Sequence, residues 1–164
     1  MKILVTIGSM SERKFTRLFK IIDELCAEGF LNGRDITAQV GFDQYHSEYY
    51  QCFDMVSDEQ FKQFIDQSDL IISHAGTGTV TSCIKKGKKV IIFPRLEKYQ
   101  EHYDDHQMDL TTLFVTQGYV RSAINKEELR KEIAEIDYFH PTPFISNNAR
   151  MNQIVIRFIE GEAK

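Results

Sequence analysis

The chain has 164 residues, 42% hydrophobic and 27% charged, which excludes a disordered or collagen-like polymer and suits one globular domain with a buried core. Its net charge of -4, with Lys and Arg interleaved among acids, excludes a broad basic footprint for nucleic acid and leaves room only for a local anion site. Three cysteines, Cys26, Cys52 and Cys83, are odd in number and widely spaced; they fit neither a disulfide framework nor CxxC zinc ligation and read as reduced packing residues.

The opening MKILVTIGSM holds too short an apolar run for a signal-peptide core, and no later stretch approaches the length of a membrane span. A cytoplasmic protein is expected, with any attachment to a membrane made through a partner. Ile3 to Ile7 reads as a compact strand. Ser11 then opens a helical pattern through Phe15, Leu18, Phe19, Ile22 and Leu25 that closes near Gly29. Ile36 to Val40 predicts a second strand and Phe53 to Val56 a short third one, with residues 42–52 as a polar and aromatic loop.

Ser57 and Gln60 are spaced as a capping box for a helix running to about Gln67, and Leu70 to Ile72 follows as a buried strand. After a glycine turn, Val80, Cys83 and Ile84 predict a short helix ending near Gly87. Val90 to Phe93 is a continuous apolar run that stops at Pro94, as a central parallel strand would. The polar stretch 95–105 leads into helical residues around Leu110, Leu113 and Phe114. Tyr119 and Val120 offer one more strand, and Asn125 with Glu128 caps a helix through Leu129, Ile133 and Ile136. Met151, Ile154, Val155, Phe158 and Ile159 predict a last amphipathic helix over about 147–160.

Strands alternating with helices imply an α/β domain, a Rossmann-like parallel sheet with helices on both faces, whose ligands bind beyond the carboxyl ends of the strands. Three polar segments gather there: Gly8 to Ser11, Ser73 to Thr79, and Pro94 to Gln107. In ISHAGTGTV, Gly76 and Gly78 let backbone approach a ligand, Thr77 and Thr79 bring hydroxyls, and a helix N-terminus follows; the same letters fit a strand-to-helix turn built on positive φ angles. His74 fits either a ligand donor or a brace for the turn.

In PRLEKYQEHYDDHQ, the residues Arg95, Glu101, His102, Asp104, Asp105, His106 and Gln107 crowd a loop after a central strand. A carboxylate beside an amide there can grip vicinal hydroxyls of a sugar, or the loop is a solvated cap with Asp104 or Asp105 at the helix N-terminus. His102 and His106 at i, i+4 lack the Glu of HExxH and any third ligand, so no metal site is expected. The single glycine of IGSMSERK disfavours a dinucleotide fingerprint, and neither a Walker A sequence nor a G-x-S-x-G elbow occurs.

Taken in order, VTIGSMSERKFTRLFKIIDEL, ITAQVGF, ISHAGTGTV and the PRLEKYQEHYDDHQ loop resemble the C-terminal domain of family 28 glycosyltransferases. The resemblance spans nearly the whole chain and is nearest to the soluble subunit of two-part enzymes. These are the bacterial capsule and exopolysaccharide β-1,4-glycosyltransferases and the eukaryotic transferase that extends dolichol-linked chitobiose. P-R-L followed by E-H-x-D-D-H-Q points to the bacterial branch.

The resemblance implies the donor half of a GT-B enzyme that holds a nucleotide sugar, usually UDP-linked, with no obligatory cofactor or metal. By that resemblance His74, Gly76, Thr77, Gly78 and Thr79 meet the diphosphate or nearby sugar oxygens, and Gly8 and Ser9 line the cleft. Asp105, His106 and Gln107 read the hexose, with Arg95, Glu101 and His102 beside them. His74, Glu101 and Asp105 are the candidates for catalysis. Ser82 stands where many relatives place a ribose-binding glutamate.

Since 164 residues supply about one of the two domains that a GT-B cleft needs, the expected partner is a membrane-associated subunit that binds a lipid-linked saccharide acceptor. The other readings are a stimulatory or scaffold subunit and a nucleotide-binding regulator.

Overall fold

A computed structural model describes residues 1–9 and 12–145; the expected helix over 147–160, and Ser11 as the opening of the first helix, lie outside the described residues. The elements are β1 (Ile3–Thr6), α1 (Thr16–Ala27), β2 (Ile36–Gln39), β3 (Gln51–Phe53), α2 (Asp58–Gln67), β4 (Leu70–Ser73), α3 (Thr77–Lys85), β5 (Lys89–Ile92), α4 (His106–Thr116), β6 (Arg121–Ser122) and α5 (Lys126–Glu135).

All six strands pair in parallel, in the order β3-β2-β1-β4-β5-β6. Strand runs such as LVT, LIIS and KVII are apolar almost throughout because helices cover both faces. Ile3, Val5, Ile7, Leu70, Ile72, Ile91 and Phe93 face one core, shared with Leu18, Ile22 and Leu25 of α1 and Leu129 and Ile133 of α5. Leu4, Ile71, Val90 and Ile92 face the other, with Ile65 of α2 and Val80, Cys83 and Ile84 of α3. The α/β, Rossmann-like sheet expected from the alternating pattern is the fold observed.

Two predicted caps form as expected. The Ser57 hydroxyl accepts the Gln60 N–H, and the Gln60 side chain accepts the Ser57 N–H. The Asn125 side chain accepts the Glu128 N–H at 2.8 Å.

Several boundaries move. Phe15 is not in α1, because its N–H donates to the buried Asp43 carboxylate at 2.5 Å and holds the backbone outside the helical region. The third strand is Gln51–Phe53, not 53–56, since Phe53 is the last residue bonded to β2; Met55 and Val56 line a cavity instead. The last strand is Arg121–Ser122, not 119–120, because Gly118 (φ +70) and the Tyr119 N–H, bonded to the Phe114 carbonyl, still close α4. The chain reverses its winding between β1 and β4, whose Thr6 and Ser73 are paired, so a crevice opens beyond the carboxyl ends of these two strands.

Candidate functional site

That crevice receives Gly8 from β1 and His74 from β4 side by side. The Cε1–Nε2 edge of the His74 ring lies between Gly8 and Gly76, and a Cβ on Gly8 would meet Cε1 at 2.6 Å. Gly8 takes φ +71, whereas Gly76 has φ -68, so the glycine turn does not rest on positive φ as one expectation had it. Gly76 lacks a side chain because the imidazole fills that space. Gly41 (φ +56) in turn lies against the Gly8 carbonyl, which a Cβ there would meet at 2.7 Å. The histidine ring is thus set in a socket between Gly8 and Gly76, with Gly41 packed behind the Gly8 carbonyl.

Burial, then the nearby Arg95 charge, pulls the His74 imidazole down to about 4, so the ring is neutral at physiological pH. Its Nδ1 is buried without a partner among the described residues. Gly76 is the N-cap of α3 and makes no side-chain cap bond, so the amides of Thr77, Gly78 and Thr79 open the helix with their N–H groups unpaired within it.

On the α2–α3 side of the sheet the crevice widens into a cavity of about 330 Å³, lined by Gly8, Ser9, Gln39, Gly78, Thr79 and Ser82 and by a wall from residues 55–65. That wall is Met55, Val56, Asp58, Phe61, Lys62 and Ile65. Gln39 is buried at its floor, where the side-chain oxygen accepts the Thr6 hydroxyl at 2.6 Å and the amide nitrogen faces the Met55 sulfur at 3.5 Å. Gln39 and the α2 wall escaped the sequence reading. Their letters satisfy the periodicity of a strand and an amphipathic helix, and only the sheet order turns them to one cavity.

The 94–107 loop divides into supports and exposed groups. Gln107 is buried, and its side-chain oxygen accepts N–H groups from Ala75 (3.3 Å) and Arg95 (2.9 Å), bolting the loop to the glycine turn. Only its amide nitrogen is left to read a sugar. Arg95, expected at the ligand, is wholly buried: its guanidinium donates to the carbonyls of Arg13 (2.8 Å), Glu101 (3.3 Å) and Ile7 (3.2 Å). Burial lowers its pKa, opposed by the Asp43 and Glu101 carboxylates.

Glu101, a catalytic and sugar-binding candidate, is likewise enclosed. Both its oxygens accept from Arg17 at 2.8 Å, and one also takes the Leu96 N–H at 3.1 Å. With its lone pairs so engaged, this carboxylate braces the loop and does not face the crevice. Asp43, unforeseen, is the other buried acid among the described residues; burial raises its pKa, against the Phe15 N–H bond that lowers it.

Asp105 occupies the N-cap position of α4 but accepts the Glu97 N–H at 3.0 Å, while the cap bond to the His106 N–H comes from Asp104, also at 3.0 Å. Asp104 further accepts His102 Nδ1 at 2.9 Å, and these bonds hold its carboxyl below the usual carboxylate range. His106 is exposed at the start of α4, as are Thr77 and Gly78 at the start of α3. The structure therefore gathers Gly8, Ser9, His74, Gly76 to Thr79 and Gln107 at one crevice and withdraws Arg95 and Glu101 behind it.

Residues 2–157 match the glycosyltransferase family 28 C-terminal domain. The chain belongs to this family. It is 27% identical over 95 residues to a UDP-N-acetylglucosamine transferase subunit, ALG13, of Debaryomyces hansenii, a match covering 56% of this chain and 45% of that one. The matched region therefore spans less than half the length of that curated relative.

Among solved structures, the family 28 chain superposes on the solution structure of ALG13 with a TM-score of 0.57 at 21% identity, covering 93% of this chain and 94% of that one. It also superposes on a crystal structure described as a putative UDP-N-acetylglucosamine 2-epimerase from Listeria monocytogenes, with a TM-score of 0.63 at 15% identity, covering 99% of this chain and 45% of that one. The fold is that of the C-terminal domain of GT-B glycosyltransferases.

Proposed function

We propose that this family 28 domain is the donor-binding subunit of a two-component inverting hexosyltransferase, taking a sugar from a UDP-sugar to a lipid-linked saccharide in polysaccharide synthesis. The observation that carries the reading is the junction of two features in one crevice. Unpaired amides at the start of α3 adjoin a cavity of about 330 Å³ whose wall from residues 55–65 includes the apolar Met55, Val56, Phe61 and Ile65. The diphosphate sits at the amides, which suit negative charge, and the nucleoside fills the cavity.

In this reading neutral His74 carries its proton on Nε2, the ring atom set between Gly8 and Gly76. That N–H reaches a phosphate or sugar oxygen from between Gly8 and Gly76. The Gln107 amide nitrogen, with His106 and Asp105 at the mouth, meets the hexose. In the transfer, an acceptor hydroxyl bonds to the anomeric carbon as the bond from that carbon to the phosphate oxygen breaks. UDP leaves with the electron pair, its charge taken up by the α3 amides without an obligatory metal.

The base that receives the hydroxyl proton comes from a membrane-associated acceptor-binding partner, since Glu101 is engaged by Arg17 and Asp105 by the Glu97 amide. The D. hansenii relative is itself described as a transferase subunit, which supports a shared enzyme. A bacterial capsule or exopolysaccharide pathway rests on the PRL and EHYDDHQ spacing alone. Among the described residues no helix is long and apolar enough to cross a membrane, so placement at the inner membrane face would come from the partner.

Amide chemical shifts of the full chain titrated with UDP, dTDP, GDP and NAD test the reading, followed by competition among UDP-sugars. Saturable shifts at Gly8, Gly76 to Thr79 and Ser82 are expected with UDP. No shift there with any nucleotide overturns it. The engagement of Glu101 by Arg17 and of Asp105 by the Glu97 amide also suits a scaffold subunit. In that case His74→Asn and Gln107→Glu leave turnover of the reconstituted pair unchanged, whereas a donor site loses it.

A further inference from the structure

Resting on the donor-site reading, we infer that Arg95, wholly buried, supplies a fixed positive charge that holds the donor diphosphate in the crevice, acting through the crevice wall and not by contact. The residue is tied to both lips of that crevice. Its guanidinium donates to the carbonyl of Ile7, the residue before Gly8, and to those of Arg13 and Glu101. Its main-chain N–H shares the Gln107 side-chain oxygen with the N–H of Ala75, which stands between His74 and Gly76 on the other lip.

The charge is felt at the ring between those lips. Burial first, and then the Arg95 charge, disfavour a proton on His74; the Thr6 backbone favours one, and His102 acts against it. A field that resists a cation at the ring attracts an anion beside it.

The buried acids do not cancel this charge by contact. Both Glu101 oxygens accept from Arg17, and Asp43 accepts the Phe15 N–H, so each acts on Arg95 only from a distance. The guanidinium is satisfied by three neutral carbonyls, and its Nε has no partner among the described residues. A cation desolvated in this way carries a cost that an arriving anion offsets. Lys62, exposed on the α2 wall of the cavity, is the competing source of positive charge. Salt separates the two, since ions screen an exposed ammonium far more than a charge enclosed by the protein.

The test is calorimetric and NMR titration of the full chain with uridine, UMP and UDP at about 50 and about 500 mM salt, for the wild type, Arg95→Lys and the neutral Arg95→Gln. The wild type is expected to favour UDP over uridine by a ratio that changes less than about threefold between the two salts. Arg95→Gln should cut that ratio about tenfold, the size of one unit charge acting through the protein interior, and leave uridine binding nearly unaffected; Arg95→Lys should keep most of the ratio. If Arg95→Gln does not fold, Arg95→Met is the neutral variant. Equal weakening of uridine and UDP in both variants marks a bracing role alone and overturns the inference. So does a UDP preference that collapses in high salt, or one that survives in the neutral variant while UDP still shifts Gly76 to Thr79; the donor site then stands without Arg95. If neither uridine nor UDP shifts those residues, both readings fall.

Discussion

The imidazole of His74 occupies the place that a side chain on Gly76 would take, so these two residues form one object in which the ring substitutes for a Cβ. Gly76→Ala is expected to push the ring off its edge-on seat, destabilise the fold by about 1–3 kcal/mol, and abolish nucleotide-induced shifts at Thr77 to Thr79. Thermal melts and UDP titration check this. For the melts, Gly78→Ala is the control, since no protein atom lies within 4 Å of a Cβ at that position.

Acid should weaken the fold through the same histidine. The folded pKa of His74 lies at about 4, below the ordinary 6.5, so between those values the unfolded chain binds a proton that the native one does not. Stability therefore falls as pH drops from 6.5 toward 4, and His74 contributes no further change below that. Asp43, with a raised pKa, acts in the opposite sense as it takes up its proton at the acid end. Urea unfolding across this window should be less pH-dependent in His74→Asn, by at most about 1.4 kcal/mol per pH unit.

Glu101 and Arg17 make a bidentate pair whose side chains are 5% and 17% exposed. Removing the cation in Arg17→Met strands a buried carboxylate and should cost about 3 kcal/mol, read from chemical denaturation. A catalytic Glu101 would give the opposite pattern in Glu101→Gln: lost turnover with unchanged stability. The expected result is reduced stability, with the folded fraction still binding UDP.

Gln107 separates two roles by substitution. Gln107→Ala leaves the Ala75 and Arg95 amides unpaired in a buried place, for about 2 kcal/mol or more, and frees the loop from the glycine turn. Gln107→Glu restores an acceptor oxygen and hence most of the melting temperature, but removes the donor group. Restored stability with lost donor-sugar transfer is the expected pair of measurements.

Much of the fold was legible because strand runs, the S-x-x-Q box and the glycine stops are local signals. Leu70 to Ile72 and Val90 to Phe93 needed no knowledge of their neighbours to be read as buried strands, and the observed strands, Leu70–Ser73 and Lys89–Ile92, differ from them by one residue at one end or at both. The errors fall where a distant residue decides. Phe15 satisfies the helical period, yet the Asp43 carboxylate, 28 positions away, takes its N–H. Glu101 and Arg95 stand in a polar stretch and read as ligand-facing, but Arg17, 84 positions from Glu101, and the Ile7 carbonyl, 88 positions from Arg95, draw them inward. For the site, the glycine turn and His74 were visible in their own letters. Gln39, Met55 and Asp58 were not, because their shared cavity exists only once β2 and α2 lie beside β1.

The socket around His74 also sets a rule for domain engineering. Its parts come from segments around positions 8, 41 and 74–76, so a hybrid that imports only the HAGTG stretch into another doubly wound scaffold carries the ring without the gap that receives it. A transplant of this turn has to move all three pieces, or choose a recipient that already presents bare backbone at the two matching loops.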